Sequence, residues 1–153
     1  MTQRINPYAV APKLLDELIR YSRTVEAMGL EKSLIELVKI RASQINGCAF
    51  CLHMHTRDAR AKGETEQRIY LLNAWREAPC YSDRERAALA WTEALTRLDD
   101  DRYRASAREH LAAHFSEEEQ VKLTLLVNVI NGWNRLAVGF GLWNETAAAK
   151  AAA

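Results

Sequence analysis

Apolar residues recur at three- and four-residue spacing along most of the chain, and no stretch of four or more alternates as a half-buried strand would. The pattern predicts a first helix from near Pro12, a residue suited to the first helical turn. Leu14, Leu15, Leu18, Ile19 and Val25 form its apolar face, and Gly29 ends it. A second helix is predicted from about Ser33 to Gln44, before the turn signal Asn46-Gly47. A third runs from about Cys48 to near Gly63, and a fourth from about Glu64 to Arg76, ahead of Pro79. Ser82 with Glu85 reads as a capping box opening a fifth helix to Leu98. A short helix is expected over Ser106 to His114. A second capping box, Ser116 with Glu119, opens a long final helix to about Val138. The expectation is an all-α bundle of about six to seven helices. Residues 1–145 form one domain, and 146–153 an Ala-rich tail.

Two helices are apolar almost all round. In the second, Leu34, Val38 and Ile45 share a face, Ile35 and Leu37 flank it, and Ile40 lies nearly opposite. In the last, Val121, Leu123, Leu125, Leu126, Val127, Val129 and Ile130 leave little polar surface. Such helices are buried on more than one side. The expectation is that one subunit cannot cover both, so that the chain is a homo-oligomer; a central bundle helix in a monomer is the alternative.

Charge narrows the function. Lys plus Arg is 21 and Asp plus Glu 20, a net charge of +1, without the basic excess of a nucleic-acid binder. No apolar run is long enough to span a bilayer, and the N-terminal sequence lacks a secretory apolar segment. Three cysteines, an odd number, do not make a closed disulfide framework, so a cytoplasmic, reducing setting is expected.

The informative stretch is INGCAFCLHMHT, residues 45–56. Cys48, Cys51 and His55 fall within about 60° on one helix face, whereas His53 points away. A helix start at Cys48 offers free N–H groups and a dipole that lower a thiol pKa, with His55 as nearby base or cation. Thiols at i and i+3 close too short a loop to staple the fold, and fit a redox couple better. Other readings stay open: two buried core cysteines, or a zinc site with Cys48, Cys51, His55 and Glu36 as ligands. Ser33-x-x-Glu36 also fits a capping box, which would reduce Glu36 to a helix cap.

The arrangement Glu36, eleven residues, Cys48-x-x-Cys51, three residues, His55 resembles the signature of the alkylhydroperoxidase D branch of the carboxymuconolactone decarboxylase superfamily. ELVKIRASQINGCAFCLHMHT, YSDRERAALAWTEAL and VNVINGWNRLAV extend the resemblance over roughly residues 30–140. It implies an all-helical fold that assembles into trimers or hexamers, and a thiol peroxidase working without haem, flavin or metal. It further implies Cys51 as the attacking thiol, Cys48 as its resolving partner, and Glu36 with His55 as a proton relay. Hydroperoxide would be the substrate and an external dithiol, lipoyl- or thioredoxin-like, the reductant. The helix-start reasoning favours Cys48 instead as the lower-pKa thiol. Phe50 stands where some members carry a relay histidine. The cysteine pair disfavours a lactone decarboxylase, and a non-catalytic redox sensor or metal-binding assembly protein is the reading from another class.

Cys80 lacks a partner at useful spacing and is expected to be non-catalytic. Arg41, inside an apolar stripe, needs an acidic partner. Asn128, Asn131 and Arg135 are expected to hydrogen-bond between helices or subunits. His110 and His114 sit in a charged, solvated segment unsuited to a metal. Trp75, Trp91, Trp133 and Trp143 are read as core or interface.

Overall fold

Ten consecutive residues of the second predicted helix, Leu34 to Ser43, are buried, and the rest of the molecule is arranged around them. The computed structural model describes residues 4–143, so the Ala-rich tail lies outside the described residues. In chain order the helices are α1 (Pro7–Val10), α2 (Pro12–Glu26), α3 (Lys32–Asn46), α4 (Ala49–Ala61) and α5 (Glu66–Leu71), which tightens into a 3₁₀ turn over Leu72–Ala74. Then follow α6 (Asp83–Thr96), α7 (Asp101–His114) and α8 (Glu117–Gly139). Among the described residues there is no strand, and the fold is the all-α bundle expected.

Helix α3 packs against α4, α6 and α8, with α7 and α2 outside them. Leu34, Ile35 and Val38 join Leu123, Leu126 and Val127 of α8 in one core cluster. Leu37 and Ile40 face the other way, into a cluster with Leu72, Trp75 and Leu89. Both apolar sides of α3 are thus covered inside a single chain. The physical premise from which an oligomer was expected does not hold for α3, because α6 and α8 supply the missing cover. On α8, Val121 remains exposed and Leu125 half-buried.

Both capping boxes form: Ser82 with Glu85 opens α6, and Ser116 with Glu119 opens α8. Helix α7 starts five residues before the expected Ser106, because Asp100 caps it by accepting from the Tyr103 N–H at 2.8 Å. The expected helix to Arg76 stops early, at Leu71, and continues only as the 3₁₀ turn. Helix α1 was not expected; Asn6 caps it and Pro7 occupies its first position.

Arg41 has the acidic partner it requires. Its Nε donates to Glu93 Oε1 at 2.8 Å, and the Trp75 indole N–H donates to the same oxygen at 2.8 Å. Burial pushes the Glu93 carboxyl up, but hydrogen bonds from Arg76, Trp75 and Arg41 hold it below its ordinary value. Trp91 and Trp133 pack against the first core cluster. His110 and His114 stack edge-on with each other, 5.2 Å between ring centres. No helix among the described residues is long and apolar enough to cross a membrane.

The junction between α3 and α4 depends on Gly47, whose φ of +65° is the left-handed conformation glycine tolerates. There the Cys48 N–H returns to the Ser43 carbonyl at 3.0 Å, closing α3 and aiming the chain into α4. A Cβ at Gly47 would meet nothing within 4 Å, so Gly47→Ala introduces backbone strain alone. The expected cost is about 1 kcal/mol of unfolding free energy by urea denaturation; an unchanged midpoint would show that this turn is not strained by a side chain.

Candidate active site

Cys48 is the N-cap of α4. Its Sγ accepts from the Cys51 N–H at 3.3 Å, the place a serine or aspartate oxygen fills at an ordinary helix start. Cys51 and His55 follow on the same face, and all three side chains are buried. The expected co-facial arrangement therefore forms. His53 lies elsewhere, its ring 4.9 Å from that of Trp143. Phe50 also packs near Trp143, 6.0 Å between ring centres, so the position of a possible relay histidine is part of an aromatic group.

Glu36 is not a helix cap. Helix α3 begins at Lys32 with Glu31 as its N-cap, so Ser33 already lies inside the helix. Glu36 is 2% exposed, and its Oε2 lies 3.1 Å from His55 Nδ1 while Lys62 Nζ donates to its Oε1 at 2.5 Å. Burial raises the carboxyl pKa, but the His55 and Lys62 hydrogen bonds and the Lys39 charge outweigh it and hold the group at about 2. Both oxygens being occupied also removes Glu36 as a spare metal ligand. Among the described residues no three His, Cys, Asp or Glu side chains converge as a metal ion requires.

The two thiols differ in surroundings. A hydrogen bond from the Cys51 thiol, and others from the Cys51 and Phe50 N–H groups and the Asn134 amide, outweigh burial and lower Cys48 to about 7. The bond to Cys48, burial and the neighbouring negative charge push Cys51 up. Access runs the other way. Cys51 and His55 line a cavity of about 230 Å³, together with Tyr8 of α1, Lys39 and Trp133, and Cys48 does not line it. Burial and the nearby Cys51 charge raise the Tyr8 phenol.

Behind the cysteines is a buried polar net. Asn134 Nδ2 donates to Ser43 Oγ at 3.0 Å, and Asn46 Nδ2 reaches both Asn134 and Asn131 at 2.8 Å. Asn131 therefore bridges helices as expected, whereas Asn128 and Arg135 are exposed. Cys80 sits apart from the pair, packed half-buried against the second core cluster.

Lys39, Lys62, Asn134 and Tyr8 were not anticipated. Lys62 stands seven residues, two helical turns, beyond His55, so extending the Cys48–Cys51–His55 stripe finds it. Lys39, a lone cation in a buried helix three residues after Glu36, carried the same signal as Arg41. Asn134 and Tyr8 had no local signal, since both reach the cysteines from distant parts of the chain.

An all-helical fold that sets a buried Glu–His pair beside a Cys-x-x-Cys at a helix start defines an alkylhydroperoxidase D-like protein. The chain belongs to the carboxymuconolactone decarboxylase family, whose sequence profile matches residues 12–94. It is 42% identical over 141 residues to the uncharacterised protein YdfG of Bacillus subtilis, covering 92% of this chain and 96% of that one. A crystal structure from Agrobacterium tumefaciens, of a protein of unknown function suggested to be the antioxidant defence protein AhpD, is 45% identical with a TM-score of 0.86, covering 91% and 95% of the two chains. The debrominase Bmp8 shares the fold alone, at 18% identity and a TM-score of 0.78, covering 92% of this chain and 75% of that one.

The folded-state carboxyl of Glu36, held at about 2 against an ordinary 4.5, contributes stability that is full above pH 4.5 and lost as pH falls towards 2. Glu36→Gln removes this contribution and leaves Lys62 and His55 facing a neutral amide. The expected loss is about 3 kcal/mol at pH 7, shrinking as the pH is lowered, by urea denaturation across that range. A difference that is flat with pH would contradict a buried, ionised Glu36.

Proposed function

We propose that the protein reduces hydroperoxides with the Cys48–Cys51 pair and is recycled by an external dithiol. The observation that carries this reading is that Cys51 and His55 line one cavity, with Glu36 holding the far side of His55 and Cys48 directly behind Cys51.

Cys51 attacks because its sulfur borders the cavity. The lower pKa of Cys48 makes its sulfur the resting thiolate, and this thiolate takes the proton from Cys51 as Cys51 attacks. The Cys51 thiolate takes the terminal oxygen of the hydroperoxide, the O–O bond breaks, and the alkoxide leaves with a proton from His55 as an alcohol. Cys51 is now a sulfenic acid. Cys48 returns its proton to His55 and attacks the Cys51 sulfur; the S–S bond forms and hydroxide leaves, protonated through His55 to water. A dithiol then supplies two electrons and two protons, reopens the disulfide and is itself oxidised. Glu36 fixes the His55 ring by its bond to Nδ1 and keeps a compensating negative charge beside it.

The reductant is proposed to be a lipoyl- or thioredoxin-like dithiol of a reducing, cytoplasmic compartment. The working form is proposed to be a homo-oligomer, a reading supported by exposed Val10 on α1 and by exposed Leu14 and Tyr21, seven residues apart on one face of α2.

Consumption of cumene hydroperoxide with dithiothreitol tests the reading. Cys51→Ser and Cys48→Ser each abolish turnover, and His55→Asn lowers it on the order of a hundredfold. Wild-type rates in both cysteine variants would sink the proposal.

A further inference from the structure

Two charged groups that line the Cys51 cavity, Lys39 and Glu26, take no step in the chemistry above. Lys39 projects from the middle of α3 and its side chain is 5% exposed. It faces a lining made mostly of Ile19, Val129, Ile130, Trp133 and Leu142, on the same cavity as Cys51 and His55. Its ion-pair partner is Glu26, at 2.5 Å, the last residue of α2, whose side chain is 41% exposed. The pair is therefore lopsided, with the cation inside and the anion at the water.

We infer that this cavity takes compact, mainly apolar molecules that carry a carboxylate, with Lys39 as the seat of that carboxylate and Glu26 as the group it displaces. The inference rests on the peroxidase reading only for its consequence, that the substrate is a hydroperoxide of an apolar carboxylic acid.

A buried ammonium requires an anion at all times, because leaving it unpaired costs more than any pairing gains. Glu26 meets that requirement in the empty site. Being half in water, its carboxylate can return to solvent with little desolvation change. An incoming carboxylate then replaces one ion pair by another at the same nitrogen, while its apolar part covers the Ile, Val and Trp surface. A neutral molecule of the same shape gains the apolar contact alone. At about 230 Å³ the cavity is below the roughly 300–1,000 Å³ of sites for drug-sized ligands, which limits the guest to a compact one.

Calorimetric titration of the reduced full-length protein with hexanoate and with 1-hexanol tests this. Hexanoate is expected to bind about tenfold more tightly, and to slow alkylation of Cys51 by N-ethylmaleimide. Lys39→Met erases the preference. Glu26→Gln, which removes the competing carboxylate, tightens hexanoate several-fold and leaves hexanol unchanged. Equal binding of the two probes by the wild type, a preference that survives Lys39→Met, or hexanoate binding without protection of Cys51 would each overturn the inference. Should Lys39→Met fail to fold, weaker hexanoate binding by Glu26→Gln overturns it alone. None of these readouts involves turnover, so loss of peroxidase activity with binding intact would count against the catalytic reading and not against this one.

Discussion

A carboxylate that has lost its water must find partners for both oxygens, and Glu36 finds them in a neighbouring helix and its cap. His55 and Lys62 stand on one stripe of α4 and its C-terminal cap, and each takes one Glu36 oxygen. This requirement sets the rotation of α4 about its own axis, and with it the direction in which Cys48 and Cys51 point. Helix α3 is held just as firmly from its other sides by α6 and α8. The left-handed Gly47 joins the two helices in a single turn. The cysteine pair on α4 is accordingly anchored, through Glu36, to the most buried helix of the bundle, which suits two side chains that must meet within bonding distance.

The two cysteines share a face but not an environment. Cys48 sits at the helix start, among N–H donors and the Asn134 amide, and carries the lower pKa. Cys51 is further along, raised by its neighbour, and borders the cavity. The two criteria for an attacking thiol, ionisation and access, fall on different residues. The proposed mechanism reconciles them by passing the Cys51 proton to the neighbouring Cys48 sulfur as the accessible sulfur attacks. The resemblance to the alkylhydroperoxidase D branch implies Cys51 as the attacker, whereas helix-start reasoning favours Cys48 as the lower-pKa thiol; the low Cys48 pKa agrees with the second and the cavity position of Cys51 supports the first.

Much of this was legible in the sequence wherever the determining interaction is local. Capping boxes at Ser82 and Ser116, the Asn46-Gly47 turn and the co-facial Cys48, Cys51 and His55 are all written in three- and four-residue spacing. The same local logic misread Glu36, because Ser33-x-x-Glu36 has the spacing of a capping box and only the actual start at Lys32 shows that it is not one. Contacts between distant segments left no such trace. Tyr8 reaches the cavity from a four-residue helix, and Asn134 reaches the cysteines across 83 residues of chain from Cys51. The all-round apolarity of α3 was read correctly as burial on several sides, but its own chain provides the cover.

The central claim is the division of labour between the two sulfurs, and trapping the first oxidation product with dimedone tests it most directly. Reduced wild-type protein, treated with stoichiometric cumene hydroperoxide in excess dimedone and then mapped by mass spectrometry, should carry the adduct on Cys51 and none on Cys48 or Cys80. An adduct on Cys48 would contradict the account.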